Sequence, residues 1–102
     1  RDPIAYLGIH GIGDGTLNVA GGRGLRDRFV QNNGCNQLSP AEPAPGSGRH
    51  VKTAYTGCRA GYPVTWLAFD GGHYPAPVDG GPESGAKSYV PGEILSFFNG
   101  LA

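Results

Sequence analysis

The sequence contains no methionine, no apolar run of membrane-spanning length and no excess of charge of either sign. Each absence excludes something. Eight acidic residues balance eight basic ones in 102 residues, so there is no basic surface of the kind that draws nucleic acid or anionic membranes. A membrane span would need about 18 consecutive apolar residues. No signal peptide is visible, and a chain that starts at Arg1 without any methionine reads as processed or excised. Cysteine is scarce, at Cys35 and Cys58 only, and no histidine lies close enough to either for a zinc site. The two therefore read as a disulfide, with neither metal nor cofactor expected. That bridge would close a loop holding Pro40, Pro43, Pro45, Gly46 and Gly48, a constraint worth about 3 kcal/mol. It points to an oxidising compartment, hence a secreted or extracellular protein.

Glycine and proline are abundant instead, at nineteen and nine residues. Ten aromatic residues and two periodic segments nevertheless argue for one folded, loop-rich domain over 1–102. Residues 4–9 form a short apolar run and read as a buried strand. A glycine-rich loop, 10–15, follows. Residues 22–33 read as a helix with Leu25 and Phe29 on its inner face, Arg23 and Asp27 paired outside, and Asn33-Gly34 as a left-handed stop. Residues 51–56 alternate as a half-exposed strand, and 64–69 are apolar throughout apart from Thr65. The last segment, 91–100, carries an apolar stripe of Ile94, Phe97, Phe98 and Leu101 behind Pro91.

The order is thus β-α-β-β-α, an α/β fold. Strands 4–9 and 64–69 should be parallel through a right-handed crossover, with 51–56 antiparallel to the latter, giving a three-stranded mixed sheet. Nothing in the chain covers the outer edge of strand 4–9. A homodimer pairing that strand with its mate would close the sheet.

In such sheets ligands bind beyond the carboxyl ends of the strands. Two loops leave those ends, and they carry Asp14 and His73, two-thirds of a hydrolytic triad. The order HGxxD (His10 to Asp14), NNGC (Asn32 to Cys35), FDGGH (Phe69 to His73) and SYVPGEIxxFF (Ser88 to Phe98) resembles the C-terminal part of secreted α/β-hydrolases. Fungal feruloyl esterases and polyhydroxybutyrate-depolymerase-like esterases share this pattern, and the likeness runs from about Ala5 to Leu101. The resemblance implies a partial three-layer α/β-hydrolase fold, a Cys35–Cys58 bridge, Asp14 as orienting acid and His73 as general base.

The nucleophile is missing. No G-x-S-x-G occurs; Ser39, Ser47, Ser84, Ser88 and Ser96 remain, and Ser47 and Ser84 lie in loops without the strand-turn-helix setting of a nucleophile elbow. The chain alone should therefore catalyse nothing. Two readings follow: a fragment of a feruloyl-type esterase contributing its Asp and His, or a complete small protein using the residual cleft to bind. The stop after the last helix favours completeness. A small, neutral, disulfide-closed, dimeric protein of this kind is similar to the galactoside-binding lectins of mushroom fruiting bodies. The main expectation is accordingly a non-catalytic lectin for terminal, α-linked galactosides, with galactose-containing glycans as partners. Its candidate sugar contacts are His10, Gly11, Asp14, Asn18, Trp66, Asp70, His73 and Tyr74, with Tyr62 and Tyr89 as further aromatic faces. A structural or defence protein without a ligand is a third reading, and it leaves the paired loops without a purpose.

Overall fold

The computed structural model describes residues 3–72, 77, 79 and 88–101. Five elements follow in the order β1 (Tyr6–Gly11), α1 (Val19–Asn32), β2 (His50–Ala54), β3 (Val64–Phe69) and α2 (Val90–Asn99). The sheet order is β1-β3-β2, with β1 parallel and β2 antiparallel to β3. A small α/β unit with a three-stranded mixed sheet is therefore what the alternation predicts and what forms.

β3 is central because its residues can tolerate burial on both faces. All six are buried, and Val64, Trp66, Leu67 and Ala68 expose nothing. The pleat sends Val64, Trp66 and Ala68 to one side, where they join Val19 and Val30 of α1, Tyr55 and the cysteines. Phe29 reaches the same side and stacks on Tyr6 with ring centres 4.2 Å apart. On the other side, Leu7, Thr65, Lys52 and Ala54 face Glu93, Ser96 and Phe97 of α2 across a cavity.

Several boundaries and contacts differ from expectation. β1 begins at Tyr6 because Ile4 is bonded elsewhere: its N–H donates to Asn33 Oδ1 at 3.1 Å, and its carbonyl accepts from Asn33 Nδ2 at 2.7 Å. The same amide donates to Tyr62 O at 3.0 Å. Asn33 is fully buried, so it ties the end of α1 to two distant loops with no water to replace it. α1 starts at Val19 because Asn18 caps it, its Oδ1 accepting from Ala20 N at 2.8 Å. Its inner face is also rotated from the expected one. Leu25 is half exposed, whereas Arg26 is buried with its guanidinium 4.9 Å from the Trp66 ring centre. Gly34 does stop the helix, at φ +72°. The Cys35–Cys58 disulfide is formed.

Arg23 does not pair with Asp27, which is taken by Arg26 Nε at 3.0 Å. It forks instead onto Glu42, Nε to Oε2 at 2.8 Å and Nη2 to Oε1. These bonds hold the Glu42 carboxyl below its usual range. A depressed folded value contributes stability above the unfolded value of about 4.3, and this is lost as pH falls through the folded value. The side chains are 42% and 19% exposed, so the contribution should stay below about 1 kcal/mol. Urea unfolding of the chain and of Glu42→Gln should show a small advantage for the parent at pH 6 that shrinks at pH 3. An advantage that grew on acidification would contradict the assignment.

Candidate active site

Because β1 and β3 are parallel neighbours, their carboxyl ends emerge side by side, and the two following loops are bonded together. Ile12 N donates to Phe69 O and Gly13 N to Gly71 O, both at 2.9 Å. Gly11 makes this approach possible. A Cβ there would lie 2.5 Å from Gly71 O and closer still to Gly72 O, and backbone cannot yield as a side-chain end can. The loop that continues toward His73 is thus seated directly on the loop that carries Asp14.

Asp14 is buried, 8% exposed. Its Oδ1 accepts from Thr16 N and from Leu17 N, both at 2.8 Å, which closes the loop as a side-chain-mediated turn. Two backbone donors hold the carboxylate in one orientation. Its Oδ2 lies 3.7 Å from His10 Nε2. The His10 ring is packed between that loop and α1. Nε2 contacts Leu17 O at 2.7 Å, a pure acceptor, so Nε2 carries the proton. Gly22 leaves room for the ring, since a Cβ there would come 2.5 Å from Nδ1. A glycine inside a helix costs roughly 1 kcal/mol, and His10 is the reason for this one.

Of the eight expected contacts, then, His10 and Gly11 end β1 and Asp14 lies in the loop that follows, with Asn18 just beyond as the cap of α1. Trp66 lies wholly inside the core, so neither face of its ring reaches solvent. Asp70 is bound to backbone, its Oδ2 accepting from Gly48 N at 2.8 Å. His73 and Tyr74 lie outside the described residues. Tyr89 stacks on His50 at 3.8 Å, and its hydroxyl is buried, which raises its pKa. Among the described residues no three His, Cys, Asp or Glu side chains converge as metal ligands. Sequence reasoning missed His50, Asp79 and Asn33. Only the capping pattern before Gly34 singled out Asn33, and nothing local links His50 to Asp79.

No family model matches the chain. It is, however, 48% identical over 98 residues to "Probable feruloyl esterase C" of Aspergillus clavatus, covering 96% of this chain and 34% of that protein. "Feruloyl esterase C" of Emericella nidulans is 46% identical over the same extent. "Feruloyl esterase D" of Neurospora crassa is 46% identical over 100 residues, covering 97% of this chain and 34% of that protein. The chain is therefore related to feruloyl esterases along nearly its whole length, and it spans about a third of the length of these curated relatives.

These findings correct the functional expectation. Relatives this similar are named as enzymes, which overturns the non-catalytic, galactoside-binding lectin and removes galactose-containing glycans as partners. Neither the structure nor these relatives show the homodimer expected through strand 4–9.

Proposed function

We propose that this chain supplies the acid and the histidine of a serine esterase that cleaves feruloyl esters, the serine lying on sequence outside these 102 residues. The observation that carries this is the Asp14 loop. A buried, backbone-held carboxylate sits at the end of β1, against the segment leading from β3 to His73, in a chain 44–49% identical to feruloyl esterases.

In this role Asp14 accepts from one nitrogen of the His73 imidazole and fixes its tautomer. The other nitrogen takes the serine proton as the oxygen attacks the feruloyl carbonyl, and returns it to the departing alcohol. Water then attacks the acyl-serine by the same exchange and releases ferulate. The fold in question is the three-layer α/β-hydrolase, with β1 and β3 as neighbouring late strands. Phe98, 59% exposed, lines a trough along β1 together with Tyr6, Leu7, Ile9 and Ile94. An apolar face on a free strand edge suits the remaining two-thirds of such an esterase, entering as a parallel strand. The Cys35–Cys58 bridge suits secretion.

The test is a graft. This chain replaces the matching segment of the Aspergillus clavatus relative, and release of ferulate from methyl ferulate is measured. The expected result is turnover comparable with that of the parent, and none from the 102-residue chain alone. A graft that folds yet releases no ferulate while the parent does would overturn the proposal.

A further inference from the structure

The loop that carries Asp14 is shaped by hydrogen bonds more than by packing. Between β1 and α1, Asp14 is buried, while Gly13 and residues 15–18 are exposed. Leu17 is 59% exposed, so apolar burial does little to fix it. Its backbone is held from two sides instead. Leu17 N donates to Asp14 Oδ1 at 2.8 Å, and Leu17 O accepts from His10 Nε2 at 2.7 Å. Thr16 N donates to the same Oδ1 at 2.8 Å. His10 Nε2 is also 3.7 Å from Asp14 Oδ2. One ring atom therefore braces the residue that holds the carboxylate, and stands beside the carboxylate itself.

His10 can act as a brace because it is itself immobilised. It belongs to β1 and sits in register opposite Ala68 of β3. The pleat that turns Tyr6 toward α1 turns His10 the same way, and its side chain is only 15% exposed. The ring centre lies 6.3 Å from that of Trp66, with planes 27° apart. On the helix side Gly22 adjoins Nδ1 so closely that a Cβ would come within 2.5 Å.

We infer that His10 is a positioning residue for Asp14, acting through Leu17. The inference rests on the esterase reading above. Without the brace, the Leu17 peptide can turn away and withdraw one of the two donors that orient the carboxylate. Thr16 N would remain, but a single bond lets the carboxylate swing about it. An error of about 1 Å in a catalytic group can cost on the order of a hundredfold in rate.

In the graft, His10→Ala and His10→Phe should each lower kcat for methyl ferulate roughly 10- to 100-fold, with KM within about twofold. His10→Gln places an amide donor near the Nε2 position and should restore most of the rate. Gly22→Ala is the converse test. Alanine is the better helix former, yet its Cβ displaces the ring, and the graft should slow to a similar degree. On an Asp14→Asn background His10→Phe should add little, because the two residues act as one unit. In the 102-residue chain, hydrogen exchange at the Thr16 and Leu17 amides reads the brace without any activity. Both should lose protection in His10→Phe and keep it in His10→Gln.

A His10→Phe or Gly22→Ala graft that keeps the parent's rate would overturn the inference, as would amides still protected in the His10→Phe chain. So would a rate restored by phenylalanine and not by glutamine, since the ring would then only fill space. A loss that adds in full to that of Asp14→Asn would mark a role unconnected with the acid, and would overturn it too. Asp14→Asn is the control: if it slows turnover while the His10 variants do not, only the brace fails. If Asp14→Asn keeps the parent's rate, the esterase reading fails and the brace with it.

Discussion

Trp66→Ala should destabilise the chain by about 4 kcal/mol, within the 3–5 kcal/mol range for removing a buried large aromatic. Trp66 sits mid-strand in β3 with no exposed surface. It is flanked by Tyr6, Val30 and Val64, and lies under the Arg26 guanidinium at 4.9 Å. Truncation opens a cavity in the middle of the sheet, where the β1 and β2 ladders on either side prevent collapse. It also strips Arg26 of its aromatic face, leaving a buried cation whose Nε donates to Asp27 Oδ1 at 3.0 Å. Trp66→Phe should lose much less. The indole Nε1 is buried without a hydrogen-bond partner among the described residues, so phenylalanine gives up volume but also removes that donor. Urea unfolding followed by far-UV circular dichroism measures both variants. A Trp66→Ala loss below about 1 kcal/mol would mean the core is not organised around this residue.

Which parts of this architecture were legible depends on whether the cause was local. The run Val64 to Phe69 announces a strand buried on both faces, and β3 has those bounds. Its parallel partner was legible as well, but displaced by two residues. Ile4 and Ala5 look like strand residues, and only the distant Asn33 amide, which takes both backbone groups of Ile4, explains why the strand starts later. The face of α1 was misread for a similar reason. Apolar periodicity assigns Leu25 inward, while the structure buries Arg26 over Trp66 and leaves Leu25 47% exposed. A cation buried on an aromatic ring carries no signature in hydropathy.

At the site, HGxxD located the loop, because a carboxylate after a glycine-rich strand end has few ways to satisfy itself. The demand on Gly11 comes from Gly71 and Gly72, some sixty residues away. Sequence spacing could not supply that contact, nor the 2.7 Å approach of His50 to Asp79. The functional misreading had a different source. An absent nucleophile reads as the loss of an activity, whereas the chain matches only about a third of its relatives' length.

Asp14→Asn in the graft tests the central claim with little structural disturbance. The amide oxygen can still accept from Thr16 N and Leu17 N, so the loop should keep its turn. What changes is the second oxygen, which becomes an NH2 group and can no longer accept a proton from an imidazole or stabilise its cationic form. In a serine–histidine–acid triad that exchange costs on the order of 10⁴-fold in kcat, about 5 kcal/mol of transition-state stabilisation. The account predicts a graft that unfolds at the parent's urea midpoint and hydrolyses methyl ferulate on the order of 10⁴-fold more slowly. A folded Asp14→Asn graft that retains the parent's rate would contradict it.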